Sequence, residues 1–546
     1  MRENKKYFWL LIALCMVCSP SIFTVFSDFF LCSLRENSGK VLLACYNAAL
    51  VLLPLVLFRV RVRLYLLFFI AFVFFAPLAI AYYHIYKNMP PQWIVMSLLD
   101  TNFYEITELI AGNEWLVLVF LGNLGVYVYI LFALLPHNFY LNALKWRLSV
   151  GLFVGLYTIK SVFFSQTPIL ENIAETYPCG GVQNITLSMR QYAAVSAQTR
   201  QARSTKFRAK KRAARPSSEV YILIVGEAAR YDYWQINGFA EATSPLLSAR
   251  KNLVSFGDVS TQAGVTYTSQ PMMLTQTLPQ NFDSVYLQKT FTSAFNEAGF
   301  ETYWIFNDLK GSSTPSNALF FAKEAKNFIS AQGILSAEQN YDGKMLPIID
   351  SILKIKKPKK LLVIFTAGSH HNFCLRYPKE FDVFRPSDFG KNLSFSAENK
   401  NLKLNSYKNS ILYTDYFIDK TIASAEKTNA AVALLYAPDH GENLRDNNQN
   451  LISHGSNNRY VLHIPLFVWY SDAYKKTYAE KTSALHQNQP KAASTHNIFY
   501  TLIDLADINY PSFDQNLSLA SPNFTAVTPR KVLQTNGSIT NYEDAN

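Results

Sequence analysis

The sequence predicts a chain in two parts: a transmembrane domain of five helices, followed by an α/β domain on a mostly parallel central sheet. Two observations predict it. Five stretches lack charge over most of a membrane span, about 7–26, 41–58, 64–86, 115–136 and 148–165. Beyond them, buried-type apolar runs such as Val220 to Val225 and Ala431 to Tyr436 alternate with helical segments, as parallel strands do.

A bilayer core takes roughly 17 to 25 apolar residues in helical form, and the first four stretches meet that length. Lys160 interrupts the fifth, but a lysine can reach the interface while its stem stays in lipid. The alternative for 7–26 is a cleaved signal peptide, because Arg2, Lys5 and Lys6 precede the apolar core; the run continues past Pro20 without a small-residue cleavage site. Arg2, Lys5 and Lys6, then Arg59, Arg61 and Arg63, then Lys145 and Arg147 fall on one side of a five-span topology, which makes that side cytoplasmic. Everything after about residue 166, and the loop 87–114, then faces the far side, which in a bacterium would be the periplasm. The expected domains are 1–165 transmembrane, 166–218 a basic linker and 219–546 catalytic.

The linker holds Arg200, Arg203, Lys206, Arg208, Lys210, Lys211, Arg212 and Arg215 with no acidic residue among them. Either it is a solvated helix face, or it attracts anionic headgroups at about 1 kcal/mol per basic residue. The net charge of +12 does not separate these readings, and the compartment argues against nucleic acid. Of six cysteines, only Cys179 and Cys374 belong to the exported part, where a disulfide is permitted.

In the α/β part, strands are expected at Val220–Val225, Thr302–Phe306, Lys360–Thr366, Ala431–Tyr436 and Ile464–Tyr470, and helices at Ser284–Ala298, Ser406–Lys427 and Ser494–Ala506. Pro378–Leu404 and Asp472–Pro490 read as loops, and the tail after Asn516 is rich in Ser, Thr and Asn. In an open sheet the carboxyl ends of neighbouring strands face one crevice. Glu227 follows the first strand, His370 the third, and Asp439 and His440 the fourth; His454 follows in Ser453-His454-Gly455. Only nine histidines occur in 546 residues, so this clustering with carboxylates is the pattern of zinc held by oxygen and nitrogen donors. The segment Gly257 to Pro271 is rich in hydroxyls, and a threonine beside zinc at a helix start is activated for attack. Chemistry alone does not rank Thr261, Thr266, Thr268 and Ser269.

Taken in order, Val225-Gly226-Glu227-Ala228-Ala229-Arg230, Gly368-Ser369-His370, Ile411 to Tyr416, Asp439-His440-Gly441-Glu442 and Ser453-His454-Gly455 resemble the bacterial phosphoethanolamine transferases of the alkaline phosphatase superfamily, related to the mobile colistin-resistance enzymes. The resemblance covers nearly the whole chain and implies a periplasmic sulfatase-like domain. It selects Thr266, five residues before Pro271, as nucleophile, and Glu227, Thr266, Asp439 and His440 as ligands of one zinc ion, or two with a second site. It gives His370 and His454 to a second metal or the phosphoryl group, and Ser97, Thr101, Glu105 and Lys310 to substrate binding. Where the family usually has Asn at the first of these, this chain has Ser97. The flanking disulfide of many relatives is absent, with Gln262 and Met272 in its positions, and His371 replaces a common glycine.

The implied reaction is double displacement, by a monomer, from phosphatidylethanolamine through a threonine adduct to an envelope acceptor such as lipid A or the lipopolysaccharide core. A phosphoglycerol transferase, a sulfatase-like or phosphodiester hydrolase, and an inactive membrane-bound binding protein are the competing readings.

Overall fold

A computed structural model describes residues 2–27, 34–86, 89, 115–141, 144–164, 169–174, 176–202, 205–213, 218–307, 317–331, 341–391, 393, 395–446, 448 and 450–545. The described residues through Tyr192 form one compact unit and those from Ala193 a second.

The first unit is helical: α1 (Arg2–Val17), α2 (Ser19–Ser27), α3 (Leu34–Leu57), α4 (Val62–Leu67), α5 (Ile70–Tyr86), α6 (Trp115–Tyr129) and α7 (Leu144–Phe164). Every expected span lies in helix, but not every one is a single span. Among the described residues, Ser38–Leu57 and Val117–Leu134 are long and apolar enough to cross a membrane, and α1 with α2 adds a third only if the pair, bent by 71°, counts as one. Pro20 explains that bend: it fits the first turn of α2 but has no N–H to continue the ladder from α1. The stretch 64–86 divides between α4 and α5, and α7 carries Lys145, Arg147 and Lys160. Leu118, Leu121, Leu152, Leu156 and Phe163 are exposed, an apolar surface of the kind that faces lipid rather than water. Cys179 is half-buried in the first unit and Cys374 is buried in the second.

The second unit is built on a seven-stranded sheet: β1 (Glu219–Gly226), β2 (Leu253–Phe256), β3 (Glu301–Phe306), β4 (Asn327–Ser330), β5 (Lys359–Phe365), β6 (Ala431–Pro438) and β7 (Leu466–Tyr470), in the order β2-β7-β6-β1-β5-β3-β4. Only β7 runs against its neighbours; β1 pairs in parallel with both β5 and β6. The unbroken apolar run of β1 follows from this position. Tyr221, Leu223 and Val225 enter one core, and Val220, Ile222 and Ile224 enter the core on the other face. On the first side lie α8 (Thr266–Leu274), α9 (Phe291–Glu297) and, later in the chain, α14 (His496–Leu505), whose Met273, Phe295 and Ile498 join that core; on the second lie α10 (Leu346–Lys354) and α11 (Lys400–Glu426), through Ile349 and Ile411.

Two expectations are corrected. Asp472–Pro490 is not a loop but α12 (Asp472–Thr477) and α13 (Ala479–Asn488). Ser471 caps α12 by accepting from the Tyr474 N–H, and only a few side chains of the pair, such as Tyr474 and Leu485, reach the core. Ser284–Ala298 is not one helix: a 3-10 segment, Pro279–Leu287, stops before α9, which Thr290 caps. The polar tail also folds, as a hairpin of Lys531–Leu533 with Ile539–Asn541.

Candidate active site and metal centre

The order β5-β1-β6 places three strand ends side by side, and the chain leaves each at a polar residue. Asp439 N–H donates to the Gly226 carbonyl (3.1 Å) and Ser369 N–H to the Glu227 carbonyl (3.0 Å), so the loops are laced together as they leave the sheet. Gly368 has φ +51°, and a Cβ there would come within 2.8 Å of the Glu227 backbone; only glycine allows so close an approach.

Glu227, Asp439 and His440, all buried, bring one donor atom each within 4.8 Å of the others. Thr266 completes the cluster: its Oγ1 lies 3.1 Å from His440 Nε2 and 3.4 Å from both Glu227 oxygens. His440 Nε2 is in turn 3.4 Å from Glu227 Oε1 and 3.7 Å from Asp439 Oδ2. The ligand atoms of a tetrahedral zinc with bonds of about 2.0–2.1 Å stand about 3.3–3.4 Å apart. Spacing and charge both fit, since two carboxylates, a neutral imidazole and a hydroxyl balance a divalent cation. His440 Nδ1 donates to the Gly441 carbonyl (2.8 Å), which fixes the tautomer and leaves the Nε2 lone pair for a metal.

Burial, then the charge of Asp439, pushes the Glu227 carboxyl well above its ordinary range. Burial also raises Asp439, and it holds the His440 and His370 imidazoles well below theirs. Without a cation the pair of carboxylates therefore favours taking up a proton.

The structure ranks the hydroxyls. Thr261 and Ser269 are fully buried and both donate to the Asp439 carbonyl, and Thr268 donates to the Val265 carbonyl (3.3 Å). Only Thr266 faces the carboxylates. It is the first residue of α8, whose N-cap, Val265, has an extended backbone and no capping side chain, so the uncapped helix start is presented at Thr266.

His370 and His454 lie beside this cluster. The His454 ring centroid is 4.2 Å from that of His440 and 6.3 Å from that of His370. The His370 Nδ1 donates to the His371 carbonyl (2.9 Å), and Glu442 accepts from His454 Nδ1 (3.3 Å). Burial pulls the His454 imidazole down, but Glu442 and then Asp439 together outweigh it, and the net shift is upward. The ring of His371 packs against Phe373. Ser97, Thr101, Glu105 and Lys310 lie outside the described residues.

Three supporting residues escaped the sequence reading. Asp342 accepts from the N–H groups of Ala367 (2.8 Å) and Gly368 (3.0 Å) and so shapes the His370 turn; nothing in its sequence context marks it. Gln270 donates to Asp439 Oδ2 (3.3 Å) from one helical turn beyond Thr266, a spacing that marks it in retrospect. Glu442 lay within a motif already noted, without a role.

The sulfatase family matches residues 219–508, more than half of the chain. The chain belongs to the sulfatase family. This sulfatase-family chain is 26% identical over 316 residues to the phosphoethanolamine transferase EptC of Escherichia coli O18:K1:H7, across 56% of this chain and 54% of that protein. It thus spans about half the length of the curated relatives it matches. Among solved structures it resembles the zinc complex of the C-terminal periplasmic domain of Escherichia coli EptC, with a TM-score of 0.56 and 22% identity over 62% of this chain and 96% of that one. It also resembles the integral membrane protein lipooligosaccharide phosphoethanolamine transferase A (EptA) of Neisseria meningitidis, with a TM-score of 0.72 and 18% identity over 94% and 97%. At these identities the structures establish the fold.

Proposed function

We propose that the protein is a zinc-dependent phosphoethanolamine transferase, which moves phosphoethanolamine from phosphatidylethanolamine to an envelope acceptor, lipid A or the lipopolysaccharide core. One observation carries this reading: a hydroxyl at a helix start, Thr266 Oγ1, within 3.1–3.4 Å of a buried two-carboxylate, one-imidazole cluster that fits zinc. The EptC relative acts in phosphoethanolamine transfer by its name, and its periplasmic domain was solved with zinc.

In this reading Glu227, Thr266, Asp439 and His440 hold one zinc ion, and His370 and His454 serve the phosphoryl oxygens or a second ion. Zinc, when bound, supplies a positive charge that favours the threonine alkoxide and offsets charge on phosphorus-bound oxygens. Thr266 loses its hydroxyl proton, and its Oγ1 bonds to phosphorus as the bond to the diacylglycerol oxygen breaks; that oxygen takes up a proton. The acceptor oxygen then gives up a proton and bonds to phosphorus as the bond from phosphorus to Thr266 Oγ1 breaks, and Oγ1 takes up a proton to restore the hydroxyl. His370, oriented by the His371 carbonyl, and His454, oriented by Glu442, serve the phosphoryl group.

Both substrates are amphiphiles, which gives the first domain a role beyond anchoring. We assign residues 1–165 to five membrane passes of the bacterial inner membrane, 166–218 to a linker and 219–546 to a periplasmic catalytic domain acting as a monomer, with Ser97, Thr101, Glu105 and Lys310 contacting the donor or acceptor. The exposed apolar side chains of α6 and α7 support the membrane assignment.

The test is diacylglycerol release from labelled phosphatidylethanolamine by the detergent-purified protein, with intact-protein mass and Thr266→Ala in parallel. Release and an adduct, both lost in the variant, are expected. No release by zinc-loaded wild type would refute the donor assignment, and phosphatidylglycerol would be tried next.

A further inference from the structure

Gln262 stands four residues before Thr266 and is 2% exposed, yet it is not an idle buried amide. Its Nε2 donates to the Thr277 carbonyl beyond α8 (3.1 Å), and its Oε1 accepts from Thr495 Oγ1 just before α14 (3.3 Å). Its backbone N–H donates to Thr495 Oγ1 (3.1 Å), and its carbonyl accepts from Leu533 N–H in the C-terminal hairpin (2.8 Å). One residue thus ties the loop before Thr266 to three distant segments.

The hairpin's grip extends past that bond. Ala263 forms a parallel bridge with Leu533, and Ala263, Met272 and Leu533 make a small core under Phe282. Val532 packs with Val461, Leu462 and Tyr542. Arg530, itself 7% exposed, anchors the hairpin's start to Asp258 (2.8 Å), Glu543 (2.9 Å) and the Ala493 carbonyl (3.1 Å). The loop it clamps needs such support. It contains Gly264, and among the described residues the Thr266 hydroxyl meets the groups of the candidate metal cluster, Glu227, Asp439 and His440. Where the Thr266 hydroxyl meets those groups depends on the loop that carries it.

We propose that the C-terminal hairpin, acting through Leu533 and Gln262, positions Thr266 for attack, so that residues far from the chemistry in sequence set its rate. This rests on Thr266 being the nucleophile, as above. A misplacement of roughly 1 Å costs about 10²-fold in rate, whereas Glu227, Asp439 and His440 hang from the strand ends and stay in place.

The experiment uses the full chain in detergent, with Leu533→Ala and Gln262→Met, with Leu533→Met as the volume-conserving rescue, and with Ile539→Ala as a control at an exposed side chain of the same hairpin. Zinc content, the kcat and KM of diacylglycerol release, and hydrogen exchange by mass spectrometry are measured on each. Expected for Leu533→Ala and Gln262→Met are wild-type zinc content, a KM within about threefold and a kcat lower by about 10²-fold. Faster exchange should be confined to residues 261–270, with β1 and β6 unchanged. Leu533→Met and Ile539→Ala should behave as wild type. Unchanged exchange in that segment, unchanged kcat despite faster exchange, or β1 and β6 opening in step with the loop would each overturn the proposal. If wild type releases no diacylglycerol, the donor reading fails, while the exchange comparison alone still decides whether the hairpin braces the loop.

Discussion

Zinc binding will displace protons from the site, and its affinity will therefore rise with pH. In the metal-free cluster Glu227 and Asp439 are buried side by side, and burial followed by mutual repulsion raises the Glu227 carboxyl well above its ordinary 4.5, with Asp439 raised as well. Below that raised value the pair holds at least one proton, which must leave before both oxygens can bind a cation. His440, held well below its ordinary 6.5, is already neutral and contributes none. One displaced proton makes affinity tenfold tighter per pH unit, or 1.36 kcal/mol, and two make it about a hundredfold. Zinc competition titrations of the detergent-purified protein between about pH 5.5 and 7.5 measure that slope, and calorimetry in two buffers of different ionisation enthalpy counts the protons directly. The stability of the metal-free protein must run the opposite way. Raised folded-state carboxyls contribute stability that is full below their unfolded values and is lost as pH rises through the folded ones, so the thermal shift given by zinc will grow with pH. A slope near zero, with no buffer dependence, would refute the idea that a shared proton stands in for the metal.

Further outcomes follow from single contacts. Thr266→Ala will lower diacylglycerol release by about 10⁴-fold or more, while Thr266→Ser, which keeps a hydroxyl, will retain adduct formation by intact mass. Glu442→Ala removes the partner of His454 Nδ1 and will lower kcat by about 10- to 100-fold with zinc content retained; steady-state kinetics with metal analysis checks both. Gly441→Ala places a Cβ 2.2 Å from the Tyr460 carbonyl, so the loop must shift at a cost of about 1–3 kcal/mol, read as a lower melting temperature together with weakened zinc binding through the adjoining His440.

The sheet was legible where burial is complete. β1, β5 and β6 are buried from end to end but for one residue, so their apolar runs stand out in the sequence. β2 and β4 sit at the two edges, four residues each and only partly buried, and no run marks them. The carboxylate and imidazole donors were legible for the same reason, because each follows such a run. The choice among the hydroxyls was not. Thr261 and Ser269 meet the Asp439 carbonyl, Thr268 meets that of Val265, and Thr266 meets Glu227 and His440, a division set by how the helix start docks on the strand ends rather than by residue type. Asp342 and the hairpin's hold on Gln262 were invisible for a similar reason, since the bonds run from or to backbone groups, which every residue type carries.

That division bears on what the site must do. Glu227, Asp439 and His440 need only the ends of strands, and the parallel sheet brings such ends together by topology, whatever the intervening sequence. A nucleophile needs more, because it must be held against the cluster through the formation and the breaking of a bond to phosphorus. Thr266 sits on a short helix outside the sheet, and its loop is secured by Thr495 and Leu533 from the far end of the chain. Substitutions at strand ends should therefore be read out as lost metal, and substitutions in the bracing segments as lost rate with the metal still bound. Measuring zinc content beside kcat in each variant separates the two classes, and a bracing variant that loses zinc in proportion to its rate would show that ligand and nucleophile are held by one support rather than two.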